Sequence, residues 1–424
     1  MIELKEWLAG ELDVRRFPYE KVLAAFHQCG KHFVGKDLLN ALDEARARRA
    51  ELRGPAPAVH HLITILDIAL DKADGRYDYQ SYLALNLLPM PSIDDDVAPE
   101  TACGQRDRLV VSLLADALRF ELAAQRGETD LLPQQRPDPG LVAKRLRLGV
   151  RAALPAQRRA GLAESPGEAA AAQHLCATVD AALSAHERNV LASTMFPVYT
   201  VHDEYLFIRV LQCWETTFAQ LAVTLAAATV AIGGGHGRTG AHHLRQAAGT
   251  LRESAPLFSL LATMQVQSFR SFRSWTEGAS AIQSRTYKLV ESLCRAPEQS
   301  RLDSLAYVSV PDVRDQVLAG RATIEQSYRM AAAAGLFATT ERGLVEQAMR
   351  DFAQALAQWR QTHYRLAMRM LGGRSGTGYT EGTPYLDAVR KTPVFELPPG
   401  AGDRNCHSDR QPSTAAPARQ SAGT

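Results

Sequence analysis

Apolar positions recur along most of the chain at the three- and four-residue spacing of an amphipathic helix, while the alternation of a half-buried strand is scarce. The pattern predicts an all-α protein. Its longest expression runs from about Arg342 to Leu371. There Val345, Met349, Phe352, Leu356, Trp359, His363, Leu366 and Met370 follow one another at alternating steps of four and three. A second stripe, Phe207, Leu211, Trp214, Phe218, Leu221 and Leu225, opens within VHDEYLFIRV, whose acids suit a first helical turn. Residues 1–75 pattern as two or three amphipathic helices broken at RGPAPAV (53–59). Residues 105–190 pattern as Ala/Arg-rich helices broken at QQRPDPG (134–140) and ESPGE (164–168). Within them, KRLRLGVR (144–151) reads as a basic helix with a solvated face. Beyond Pro399 the Gly, Pro, Ser and Ala content predicts a disordered tail.

Composition narrows the class. The 424 residues are 46% hydrophobic and 22% charged, with a net charge of +2. This excludes global disorder and gives no strong field for nucleic acid or anionic lipid. Six cysteines, at 29, 103, 176, 213, 294 and 406, form no CxxC pair, which predicts a reduced, cytoplasmic chain. The N-terminal MIELKEWLAGELDVRR lacks the apolar centre of a signal peptide. The uncharged stretch from Thr216 to Gly237 is Ala-rich and interrupted by Thr, Gln and glycines. It reads as a buried bundle helix rather than a membrane span. The three histidines of GGGHGRTGAHH (233–243) fall in what reads as a glycine-rich turn without an accompanying carboxylate or thiolate, so no metal site is expected there. DDD (94–96) reads as a solvated loop without the calcium-loop pattern.

Three segments carry candidate chemistry. His363 lies on the apolar stripe and so points inward. A buried imidazole needs partners for its nitrogens, and two readings follow: a core histidine bonded to a carbonyl, or a neutral axial ligand to haem iron. The glycine-rich stretch GGRSGTGYTEGTPYL (372–386) lacks the lysine of a phosphate-binding loop and follows no strand. Its glycines would let backbone amides and Thr377 approach a bound group closely. In VQSFRSFRSWTEGASAIQS, Arg270 and Arg273 lie among Phe269, Phe272 and Trp275. That setting suits either carboxylate capture beside an apolar slot or a cation–π contact at a helix surface.

Together, and in their order along the chain, the helix at 201–221, the arginine segment at 266–284 and the His363 helix with its glycine-rich loop resemble the tryptophan 2,3-dioxygenase family. HDEYLFIRVLQ resembles its HDE-x-LFI-x-x-HQ helix. SFRSFRSWTEGASAIQS resembles its Y-x-x-FR…SSGFQS segment. WRQTHYRLAMRMLGGRSGTGYTEGTPYL resembles WRFRH…GFKRGTGG-x-SG-x-x-YL. The fourteen residues from His363 to Thr377 and the ten from Arg273 to Gln283 match the family's spacing, and Tyr79-Gln-Ser-Tyr82-Leu83 resembles its early Y-x-x-YL element. The resemblance covers 76–91 and 196–398. It implies a helical bundle of that family's type with an N-terminal helical extension (1–75), a substrate-lip segment (76–95), a helical insertion (96–195), a haem-binding core (196–398) and a tail (399–424).

The resemblance also implies roles. His363 would be the proximal ligand of haem b, with Trp359, Gly376 and Gly378 beside the cofactor. Arg273 would pair with the substrate carboxylate and Thr377 with its ammonium or carboxylate. Phe207 and Phe269 would line the aromatic pocket, with Leu211 and Ser280 on the distal side. Tyr79 and Leu83 would form a lip, supplied in the family by a neighbouring subunit, and a homodimer or homotetramer is expected. The implied activity is insertion of O2 into the indole ring of L-tryptophan or a close derivative, giving an N-formylkynurenine-type product. A haem monooxygenase or hydroxylase of a modified aromatic amino acid, and a non-catalytic haem-binding helical protein, remain as alternatives. Four positions depart from the family: its distal histidine falls on Leu211, a tyrosine on Phe269, and glycines on Ala281 and Tyr379.

Overall fold

Helices form where the apolar period predicts them. The computed structural model describes residues 2–165, 167, 170–372 and 383–396. Among these there is no β-strand, only two isolated bridges. The candidates Gly376, Thr377 and Gly378, the departure at Tyr379 and the expected tail lie outside the described residues.

The first seventy residues hold four α-helices rather than two or three: α1 (Ile2–Ala9), α2 (Tyr19–Cys29), α3 (Lys36–Ala47) and α4 (Ala56–Ala69). The separating turns are too short to show in the apolar pattern. The α2 helix stops because Gly30 adopts φ +82° and presses against the next layer, where an added Cβ would sit 2.5 Å from the Val198 carbonyl oxygen. The α4 helix starts directly after the RGP break, with Pro57 tolerated in its first turn. These helices close over their own core of Leu4, Phe26, Leu42, Leu62 and Leu66, joined to the rest through Ala84, Leu87 and Phe196.

A single-turn helix, α5 (Tyr79–Tyr82), leads into α6 (Pro99–Arg126), α7 (Pro139–Arg159), α8 (Ala171–Ala182) and α9 (Ala185–Ser193). The breaks at 134–140 and 164–168 fall between helices as expected. Gly149 lets α7 lie close on α6, since a Cβ there would meet the Leu118 side chain at 2.6 Å. The central helix α10 (His202–Gly233) is apolar and long enough to cross a membrane, but 78% of its most apolar window is buried inside the protein. Next come α11 (Gly237–Glu253), α12 (Pro256–Leu261), α13 (Val266–Arg273) and α14 (Arg285–Cys294). Then follow α15 (Gln299–Leu302), α16 (Leu305–Val308), α17 (Pro311–Leu318), α18 (Ile324–Ala333), α19 (Thr339–Leu371) and α20 (Thr383–Lys391). The second core runs without a break through α6–α9, α10–α14 and α19.

Two sequence expectations change. The segment 144–151 is not a solvated face throughout. Arg145 has no exposed surface; its guanidinium donates to Glu121 at 2.8 Å and to Asp203 of α10 at 2.7 Å. Helical period alone hid this, because a buried arginine with two carboxylate partners has the same sequence signature as a surface one. The glycine-rich turn is confined to Gly234–His236, so His242 and His243 stand on α11.

Candidate functional site

The acids that open α10 act in tertiary contacts as well as in the first helical turn. Asp203 accepts from Arg145 and also from the Gln265 backbone N–H at 2.6 Å, at the start of α13. Glu204 accepts from the backbone N–H groups of Val198 (2.7 Å) and Tyr199 (3.1 Å) and from the Tyr82 hydroxyl (3.2 Å). Burial outweighs these three donors and pushes the Glu204 carboxyl up to about 8. The first turn of α10 therefore fixes α13, α7 and α5 relative to one another.

Below that turn the stripes of α10 and α19 face a single cavity. Its walls include Tyr79, Phe207, Leu211, Phe269, Arg273, Ser280, Trp359 and His363, which brings eight of the sequence-predicted site residues together. Leu83 is not among them. It is fully buried in the core beside the cavity, and its carbonyl accepts from Gln212 Nε2 at 2.8 Å. Tyr82 lines the cavity in its stead. The lip segment reaches the cavity of its own chain: the Tyr79 hydroxyl donates to Glu215 Oε1 at 3.1 Å.

The cavity has two aromatic ends joined by Leu211. At one, Trp359 is surrounded by Phe218 (5.1 Å between centroids), Trp214 (5.3 Å), Phe258 (5.6 Å) and Tyr287 (5.6 Å, stacked). His363 lies one turn along α19, its ring 5.1 Å from that of Trp359. Among the described residues neither nitrogen of His363 has a hydrogen-bond partner, and burial alone pushes its pKa down to about 4. It is a neutral imidazole with a free lone pair facing an apolar space. The indole N–H groups of Trp214 and Trp359 are likewise buried without a partner among the described residues. Buried polar groups are ordinarily hydrogen-bonded, so three without a partner on one cavity wall stand out. At the other end, Phe207 packs against Phe272 (5.2 Å) and Phe269 (5.9 Å), with Arg273 beside them.

Several lining residues had no signal in the sequence. Glu215 accepts from the Tyr79 and Thr286 hydroxyls, the latter at 2.5 Å, and burial raises its pKa. Burial pushes the Lys288 ammonium down to about 8. Arg360 donates to the Tyr287 hydroxyl at 2.8 Å and to the Thr392 carbonyl at 2.7 Å. All three are charged side chains beside an apolar stripe, and periodicity assigns such residues to solvent.

Comparison with protein-family models gives no match. Curated proteins do match. A tryptophan 2,3-dioxygenase of Anaeromyxobacter sp. (strain K) is 27% identical over 236 residues, covering 48% of this chain and 88% of that protein. One from Nocardioides sp. (strain ATCC BAA-499 / JS614) is 32% identical over 218 residues, covering 44% of this chain and 79% of that protein. The chain belongs to the tryptophan 2,3-dioxygenase family. A Xenopus laevis member is 33% identical over a shorter stretch of 108 residues. For the Anaeromyxobacter and Nocardioides proteins under half of this chain aligns, against 79% or more of the relative. The tryptophan 2,3-dioxygenase resemblance places the family's distal histidine at Leu211 and a family tyrosine at Phe269. Both positions line the cavity, so both departures fall on the site itself.

Proposed function

We propose that this protein is a haem-dependent dioxygenase that inserts O2 into the indole ring of L-tryptophan or a close derivative. The observation that carries the reading is His363: a neutral imidazole on the cavity wall that, like the indole N–H groups of Trp214 and Trp359 on the same wall, has no hydrogen-bond partner among the described residues. That donor set fits haem b: His363 would hold its iron, and Lys288 and Arg360, which line the cavity, would face its carboxylates. When bound, the haem supplies the activation of O2.

The chain's own residues supply position and dryness. Arg273 would hold the amino-acid carboxylate, and Phe207, Phe269 and Phe272, which line the same cavity, would hold an aromatic ring against Leu211. Adding both atoms of O2 across a ring double bond, with cleavage of the carbon–carbon bond, leaves no proton or electron to be disposed of. Leu211, which cannot take a proton, is compatible with that balance.

A second reading is favoured by Leu211 and Phe269 together, since each lacks the polar group of its family counterpart. It is transfer of one oxygen atom to a modified aromatic amino acid, with the other leaving as water at the expense of two electrons and two protons from an external reductant. The test is reconstitution of the purified chain with hemin. A ferrous–CO Soret band in the wild type and its absence in His363→Ala support the haem assignment; retention in the variant overturns it. Incubation with L-tryptophan and ¹⁸O₂ then counts product oxygens, two for the first reading and one for the second.

A further inference from the structure

Of four consecutive residues of the N-terminal helical unit, Gly30 and Lys31 anchor it on residues 197–199, and His32 and Phe33 reach the loop that joins Arg273 to Ser280. Gly30 lies against the backbone of Val198 and Tyr199. The Lys31 N–H donates to the Pro197 carbonyl at 3.0 Å, and its ammonium forms a fully buried ion pair with Asp71 at 2.8 Å. Between these anchors His32 has little freedom. Its Nε2 bonds to the Trp275 carbonyl at 2.6 Å, and since a carbonyl only accepts, Nε2 carries the proton. The His32 ring stacks on Tyr77 at 6.2 Å with an 11° interplanar angle. Phe33 meets the Trp275 ring edge-on at 4.9 Å, and Tyr199 closes the cluster at 5.8 Å.

The same loop is held at two further points. Gly278 lies against Tyr77, where a Cβ would come within 2.9 Å of the Tyr77 carbonyl oxygen. Gln283 Oε1 accepts from the Tyr79 N–H at 2.9 Å and from the Ser280 N–H at 3.3 Å. Its backbone bonds inside the loop span only three residues each: Trp275 to Phe272, Thr276 to Arg273, Ala279 to Thr276. Glu277 holds φ +49°, a conformation L side chains adopt only under constraint. A loop with few bonds of its own and a left-handed residue takes its shape from what grips it. Arg273, Thr276, Ala279 and Ser280 all line the cavity.

We propose that His32 is a positioning residue for substrate capture. The N-terminal unit sets loop 274–280, through the His32–Trp275 bond, so that Arg273 and Ser280 face the amino-acid end of the cavity. The inference rests on the reading of Arg273 as the carboxylate partner. It gives residues 1–75, which fold over their own core, a direct part in the site.

The experiment compares full-length wild type, His32→Ala and His32→Gln, the last keeping a donor that can reach the same carbonyl. Amide hydrogen exchange should rise at least about tenfold across 274–283 in His32→Ala, as expected when a local restraint is lost without global opening, with 202–233 unchanged. The KM for L-tryptophan should rise about tenfold, the equivalent of one lost hydrogen bond, with kcat within about twofold. His32→Gln should restore both, and all three proteins should keep the ferrous–CO Soret band. Unchanged exchange and KM in His32→Ala, or a Gln variant as impaired as the Ala variant, overturns the role. Loss of protection in 202–233 as well makes His32 a folding residue and also overturns it. If the wild type does not turn over L-tryptophan, the exchange measurement alone decides, and the substrate reading falls separately.

Discussion

From Val345 to Leu356 the apolar stripe of α19 is sealed: Val345, Met349, Phe352 and Leu356 have no exposed surface, packed in the core that includes α10 and α11. From Trp359 to Leu366 the stripe continues at the same spacing, yet Trp359, His363 and Leu366 line a cavity. The α10 helix shows the same division, with Leu221 and Leu225 sealed and Phe207 to Phe218 on the cavity. One period thus specifies one inward face, but not what that face meets. The sealed half is filled by side chains. The cavity half leaves an imidazole and two indole N–H groups without a hydrogen-bond partner among the described residues, which costs stability unless a ligand offsets it.

The sharpest way to break this comparison is His363→Ala. Haem retention should fall to background while the apo-protein unfolds within a few degrees of the wild type, read by the Soret band and by calorimetry. The unmodified imidazole gives a related test. Its pKa is pushed down to about 4 from 6.5, so it stays neutral across the ordinary range. Its contribution to folding is present above pH 6.5 and is lost as pH falls through 4, because there the unfolded chain binds the proton more readily. The ferrous spectrum of reconstituted protein should therefore hold constant from pH 8 to 5 and collapse only towards 4; a midpoint near 6.5 would contradict the burial.

On the sealed half, Phe352→Ala should cost about 3–5 kcal/mol in denaturant unfolding, with haem per folded molecule unchanged. At the far end of the cavity, Arg273→Ala should raise the KM for an aromatic amino acid by roughly 10–100-fold, the equivalent of about 1.5–3 kcal/mol for a bond to a charged group. Its Soret band should stay normal, and an unchanged KM would remove Arg273 from the site. The smallest effect is expected from Leu211→His. It adds a donor to the distal wall and should move kcat/KM by about fivefold, near 1 kcal/mol; a change above a hundredfold would show that the distal position governs the chemistry.

Much of this was legible from residues alone. The stripes of α10 and α19 gave the two walls, and the Phe269–Arg273 cluster gave the polar end. The breaks at 134–140 and 164–168 marked real helix ends. What escaped were charged residues facing inward. Arg145 looked like a solvated face, and Glu215, Lys288 and Arg360 gave no sequence signal at all. Each is held by partners distant in sequence: Arg145 by Glu121 and Asp203, Glu215 by Tyr79 and Thr286, and Arg360 by Tyr287 and Thr392. Tyr82 rather than Leu83 lines the cavity, and the short Y-x-x-YL likeness that singled out Leu83 does not say which of two neighbours turns inward.

Local chemistry along the chain determined the helical class, the inward face of each long helix and the presence of an imidazole on one of them, because 3.6 residues per turn converts spacing directly into direction. Whether that face would be filled or hollow, which buried charges would find partners, and that His32 would grip the Trp275 carbonyl were decided only by tertiary packing. Those outcomes depend on distances between segments that are 24 to 243 residues apart in the chain, and no local spacing encodes such distances.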